Sequence, residues 1–268
     1  RNARGTTGHH DLVNVALTDS TVAQTFPTGS VQIRKRSPCH LRRLSTFTTF
    51  ATLANFAILG WFFGVQNTRA ALITGLAPAR LNITQHGADG PQFWPEDRAI
   101  QPPPADHILK HETVTLAERL HGVGYHTGFF GKWHLSGTSV RKNDPSTGGP
   151  GFYPDRHGFE INIGGCGFGG PPTYFDPYRI PTIQPRKDGE YLTDRLADEA
   201  ISWMRLSKDR PMFVCLWTYN PHYPFEAPRK LVQRYKGREG RGLKNPVYGG
   251  QIEATDRAVG RVLAEVDR

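Results

Sequence analysis

The sequence predicts an α/β domain in which helices flank a largely parallel sheet. Residues 113–121 (TVTLAERLH) form an amphipathic pattern with Val114, Leu116, Ala117 and Leu120 on one face. That helix runs straight into residues 124–135 (GYHTGFFGKWHL), where Gly128 and Gly131 bracket Phe129 and Phe130, so a short buried strand ends there. Residues 211–219 (PMFVCLWTY) are a near-continuous apolar run, the pattern of a parallel strand covered on both faces. A helix leading into a strand, followed by a strand buried on both sides, reads as layered α/β architecture.

The remaining elements come in chain order. Residues 68–75 (TRAALITG) are helix formers closed by a glycine stop, with Pro78 in the loop beyond. Residues 142–170 are rich in Gly, Pro and Asp and read as loop. They include the run GGCGFGG at 164–170, which lacks the following helix that a phosphate-cradling loop needs and reads as flexible. Residues 191–206 repeat Leu192, Leu196, Ala200, Trp203 and Met204 at helical spacing, with Asp194, Asp198 and Glu199 outside. Residues 250–266 form a last amphipathic helix with Ile252, Ala258, Val259, Val262 and Leu263 as its stripe.

The first part of the chain has a different texture. The formal net charge is +9, and +5 of it falls in residues 1–43, which show no clear apolar periodicity. No Asp or Glu occurs from Ser20 to Ala88, whereas about a quarter of residues in ordinary domains are charged, with both signs present. Residues 44–66 are an uncharged run preceded by Arg34, Lys35, Arg36, Arg42 and Arg43. Its length and flanking charge fit a membrane span over 44–65, since about 20 apolar residues suffice; its Ser, Thr and Asn content argues the other way. The division expected is an atypical basic and apolar segment at 1–66 and a catalytic-type domain at 67–268. The basic excess comes with no zinc-finger, helix-turn-helix or aromatic RNA-binding signature, so nucleic acid is not an expected partner. Cys39, Cys166 and Cys215 make neither a disulfide framework nor a metal cluster.

Chemistry concentrates in two places. In an extended segment residues i and i+2 share a side, so Lys132 and His134 are expected to face one pocket with Trp133 packed behind them. A fixed cation beside a titratable imidazole suits a multiply oxygenated anion such as sulfate or phosphate. Taken alone the pair also fits a strand edge with two solvated side chains. His222 follows the second strand, where ligands of open α/β sheets gather, although a lone histidine there also fits a capped loop.

The stretch at 124–135 resembles the second signature of the sulfatase family, which ends in Gly-Lys-Trp-His. Thr68-Arg69-Ala70-Ala71-Leu72-Ile73-Thr74-Gly75 resembles the tail of that family's first signature, Cys/Ser-x-Pro-Ser/Thr-Arg-x-x-Leu-x-Thr-Gly. His157-Gly158-Phe159, Pro221-His222-Tyr223-Pro224-Phe225 and the segment from Tyr248 to Gly260 come next, in the family's order. The resemblance covers about 200 residues. It implies a three-layer αβα, alkaline phosphatase/sulfatase-like fold and, by descent, hydrolysis of sulfate esters (arylsulfatase-like). A sulfated small molecule or glycan is the implied partner, and a periplasmic or secreted location the implied setting. Position by position, Arg69 would support the nucleophile and Lys132 would bind sulfate. His134 would help expel sulfate from a formylglycine hydrate, and His222 would bind sulfate or protonate the leaving oxygen.

The departures carry as much weight. The nucleophile position falls on Val65 and the signature proline on Asn67, so formylglycine is absent. Gly8-His9-His10-Asp11-Leu12 faintly resembles the residues just after the family's paired aspartates, which places those aspartate positions at Gly5 and Thr6. The resemblance implies calcium for the family, but Gly5 and Thr6 make poor ligands for a hard cation, and the later Asp-Asn pair is expected beyond Arg268. No metal ligand is therefore assigned. The expectation is a domain incomplete at both ends and inactive as written, either a degenerate sulfatase-like protein or a product frame-shifted over 1–66. A phosphoester or phosphonate hydrolase and a membrane-anchored binder of sulfated glycans stand as alternatives.

Overall fold

The computed structural model describes residues 14–16, 65–84, 99, 105–137, 148–238, 240 and 243–268. Four strands, β1 (Asn14–Ala16), β2 (His126–Gly131), β3 (Ile161–Ile163) and β4 (Met212–Trp217), make one sheet in the order β1-β4-β2-β3. Every pairing is parallel, with Gly128 opposite Val214 and Gly131 opposite Trp217 between the two central strands. The helices are α1 (Val65–Thr74), α2 (Leu116–Gly122), α3 (Leu192–Leu206), α4 (Arg229–Tyr235) and α5 (Pro246–Val266).

Side-chain alternation along β2 and β4 builds two cores. Phe129, Phe213, Cys215 and Trp217 join Ala70 and Ile73 of α1, Ala117 of α2, and Trp133. Phe130, Val214 and Leu216 join Leu196, Ala200 and Met204 of α3 and Ala254, Ala258 and Val262 of α5. Period-2 burial on both faces of one parallel sheet is the expected three-layer arrangement.

Several sequence expectations are corrected. β1 lies inside residues 1–43, where no element was expected; three residues are too short to show a period, and the strand exists through its ladder with β4. β3 and two 3-10 turns, Pro150–Phe152 and Pro154–Arg156, occupy the stretch read as loop. α2 begins one residue after Thr115, which caps it. The Thr115 hydroxyl accepts from the Glu118 N–H at 3.1 Å and the Glu118 carboxylate accepts from the Thr115 N–H at 2.6 Å. Val114 therefore precedes the helix and is 48% exposed, and Leu116 is 42% exposed, so Ala117 and Leu120 carry the inward face. α1 starts three residues earlier than expected, at Val65. α5 starts at Pro246, with Asn245 as its cap, and its innermost stripe is Ala254, Ala258 and Val262 while Ile252, Val259 and Leu263 are half-buried.

Residues 44–64, the expected membrane span but for its last residue, lie outside the described residues, as do Gly5 and Thr6. Among the described residues no helix is long and apolar enough to cross a membrane.

Candidate functional site

The carboxyl ends of β2 and β4 approach so closely that only glycine fits at the end of β2. Gly131 has φ of 116°, and a Cβ there would lie 1.9 Å from the Trp217 carbonyl oxygen. The Lys132 N–H donates to that same carbonyl at 2.6 Å. Lys132 is thus delivered directly off the strand end, and it is 2% exposed. The backbone does not stay extended. His134 has φ of 57°, in the left-handed region, so the shared-side geometry expected of residues i and i+2 does not hold. What places His134 is the hydrogen bond from its N–H to the Cys166 carbonyl at 2.9 Å. Trp133 is fully buried as expected, stacked on Trp217 at 6.2 Å, with its indole N–H donating to the Phe152 carbonyl at 2.8 Å.

Arg69 reaches the end of β4 from α1, in the layer that packs on Trp133 and Trp217. It is fully buried on α1, and its guanidinium sits over the Trp217 ring at 5.8 Å from the centroid. Trp217 is therefore the common partner of Arg69 through its ring and of Lys132 through its carbonyl. Arg69 and Lys132 are both buried, in low-dielectric surroundings where a charge pulls on an anion several-fold more strongly than in water.

His134 and His222 meet on the glycine run at 164–170. A methyl group on Gly169 would lie 3.0 Å from the His134 ring, and one on Gly170 would lie 2.5 Å from His222 Nδ1. The run read as flexible loop is thus a close-packed spacer between two imidazoles. Tyr219 fastens it to the end of β4, its hydroxyl donating to the Gly164 carbonyl at 2.8 Å, and burial pushes the Tyr219 phenol well above its ordinary range.

The His222 loop is tied down from below. The Tyr174 hydroxyl donates to the His222 carbonyl at 3.0 Å, and Gln251 Nε2 of α5 donates to the His222 and Pro224 carbonyls, each at 3.3 Å. Asn220 Nδ2 donates to the Tyr191 hydroxyl at 2.9 Å and to the Gln251 carbonyl at 3.1 Å, while its Oδ1 accepts from Thr193. His222 Nδ1 lies 2.8 Å from the Tyr223 carbonyl, which can only accept, so Nδ1 carries the proton. In the neutral ring Nε2 is then the basic nitrogen, as a group that exchanges a proton with a leaving oxygen requires.

All four expected residues are described: Arg69 and Lys132 both touch Trp217, one through its guanidinium and the other through its backbone N–H, and His134 and His222 both pack on the glycine run. Sequence reading missed the parts that hold them: Trp217, the glycine spacer, and the Tyr174–Gln251–Asn220 network. The signal for the spacer was present in seven residues of which five are glycine. For Val65 the backbone opens α1, four residues before Arg69. Among the described residues no group of three or more His, Cys, Asp or Glu side chains is arranged to hold a metal ion. They do not make the carboxylate shell a hard cation needs, and no chemical step is assigned to one.

Arg69, Lys132, His134 and His222 thus lie at or just beyond the carboxyl ends of the parallel strands of an α/β domain. The chain belongs to the sulfatase family, whose model (Sulfatase) matches residues 63–268. It is 28% identical over 198 residues to the arylsulfatase of Klebsiella aerogenes, covering 69% of this chain and 38% of that protein. It is 24% identical over 273 residues to the steryl-sulfatase of Rattus norvegicus, covering 75% and 44%. Among solved structures, the complex of Ps i-CgsB with k-i-k-neocarrahexaose superposes with a TM-score of 0.52 at 21% identity, covering 76% of this chain and 44% of that one. The chain thus spans about two fifths of the length of these curated relatives.

Proposed function

We propose that this chain is a sulfate-ester-binding domain of sulfatase ancestry that does not turn its ligand over. Lys132 and Arg69 neutralise the sulfate oxygens, His134 closes the pocket from the glycine spacer, and His222 Nε2 faces the bridging ester oxygen. The observation that carries the inactive reading is Val65. It stands at the first residue of α1, four residues before Arg69, and the resemblance of residues 68–75 to the family's first signature puts the nucleophile position on it. A valine side chain has no lone pair with which to attack sulfur, and no described side chain is matched to that role. The family relation supports a sulfate ester over other anions, and the relatives' names (arylsulfatase, steryl-sulfatase) support a sulfated small molecule. The neocarrahexaose bound to the superposed structure supports a sulfated glycan.

Release of 4-nitrophenol from 4-nitrophenyl sulfate, measured with and without calcium, tests this. The expected rate equals that of the Lys132→Ala variant and of buffer. Turnover that Lys132→Ala abolishes would show that the chain is a working hydrolase.

A further inference from the structure

Among the described residues, exposed aromatic side chains are confined to one neighbourhood. Phe168, Tyr223, Phe225 and Tyr248 are the exposed large aromatics there, at 36%, 70%, 49% and 39%, while the other described aromatic side chains are buried or half-buried. Phe168 and Tyr223 adjoin the site in the chain, and Phe225 and Tyr248 connect to it through Tyr223. Phe168 sits in the glycine spacer beside Gly169, which packs on His134, and Tyr223 directly follows His222. Tyr223 meets Phe225 edge-on at 6.1 Å, and Phe225 meets Tyr248 edge-on at 6.3 Å, with ring planes 80° apart in both pairs. Phe225, Tyr248, Lys244 and Asn245 line a cavity of about 280 Å³. Apolar rings left in water together, running from Tyr223 beside His222 to a cavity fringed by Lys244, are the mark of a ligand surface.

We propose that Phe225, Tyr248 and Lys244 form a saccharide subsite that holds the pyranose ring of a sulfated sugar while His222 contacts its ester oxygen. A pyranose carries an apolar C–H face that packs on aromatic carbon and a rim of hydroxyls that does not. Rings set at right angles offer it a corner with two walls, whereas a flat polycyclic sulfate needs a parallel-sided slot. Lys244 at the edge selects a second anionic substituent, sulfate or carboxylate, on the same or the next sugar. The assignment rests on the reading of the Arg69–Lys132–His134–His222 pocket as the sulfate site.

Calorimetric titration of the full chain separates the two. The ligands are disulfated lactose, monosulfated lactose, 4-nitrophenyl sulfate and inorganic sulfate, and the variants are Tyr248→Ala, Phe225→Ala, Lys244→Ala and Lys132→Ala, each checked for an unchanged thermal midpoint. Tyr248→Ala and Phe225→Ala are expected to weaken disulfated lactose by roughly tenfold, the size of a lost ring contact, and to leave inorganic sulfate unchanged. Lys244→Ala is expected to lose the preference for disulfated over monosulfated lactose. If the aromatic variants leave the sugar's affinity intact, or weaken 4-nitrophenyl sulfate as much as the sugar, the subsite is not for a saccharide. Loss of inorganic sulfate in Lys132→Ala upholds the anion pocket independently. If Lys132→Ala binds inorganic sulfate and sugar as the parent chain does, the pocket reading fails and this assignment fails with it.

Discussion

Gly131→Ala is expected to lose a large part of the domain's stability. The added methyl would stand 1.9 Å from the Trp217 carbonyl oxygen and 2.7 Å from its carbon, both backbone atoms of the neighbouring strand. Neither can move aside as a side chain would. The Lys132 N–H bonds to the same carbonyl, so prising the strands apart also breaks the bond that positions Lys132. The φ of 116° adds a penalty for any L side chain. Overpacking together with an unfavourable backbone conformation sums to at least about 3 kcal/mol, against a typical domain stability of roughly 5–15 kcal/mol. Urea unfolding of parent and variant reads this directly. A variant within about 0.5 kcal/mol of the parent would mean that β2 and β4 do not meet as described.

Acidification is expected to destabilise the fold through His157 before most carboxylates titrate. Its ring is fully buried, stacked on His111 at 5.1 Å and tilted against Trp133 at 5.6 Å, and among the described residues neither ring nitrogen has a hydrogen-bond partner. Burial, with His111 adding repulsion and Glu118 and Asp155 opposing it, pulls the imidazole from 6.5 down to about 4. Between those values the unfolded chain binds a proton that the folded protein refuses. Stability is therefore complete above about pH 6.5, falls as the pH drops towards 4, and levels off below it; the full effect is about 3 kcal/mol. His157→Phe keeps the stack and removes the proton site. Its thermal midpoint should fall less steeply than the parent's between pH 6.5 and 4. Parallel slopes in the two proteins would place the acid sensitivity elsewhere.

The two central strands and the helices α3 and α5 were legible in the sequence because their patterns are long and periodic. The Arg69, Lys132, His134 and His222 positions were legible through motif resemblance, which preserves spacing and residue type. The resemblance also implies a catalytic apparatus that Val65 does not supply. The parts that stayed hidden depend on contacts between segments distant in sequence. β1 is three residues recognised only by its pairing with β4. His134 takes its direction from the Cys166 carbonyl, 32 positions away, which no local alternation rule anticipates. The glycine run looked loose because glycine permits flexibility, but here the missing side chains admit two imidazole rings. Trp217 read as one more apolar residue of a buried strand, yet it joins Arg69 and Lys132.

The central claim is that these side chains act as one sulfate-ester pocket without chemistry. Calorimetric titration with 4-nitrophenyl sulfate tests it in a single experiment, because released 4-nitrophenol is visible in the same cell. The parent chain should bind with one-to-one stoichiometry and remain colourless, and Lys132→Ala should bind at least about tenfold more weakly, as expected for a lost charge-assisted hydrogen bond. Equal affinity in parent and variant, or steady release of 4-nitrophenol by the parent, would contradict it.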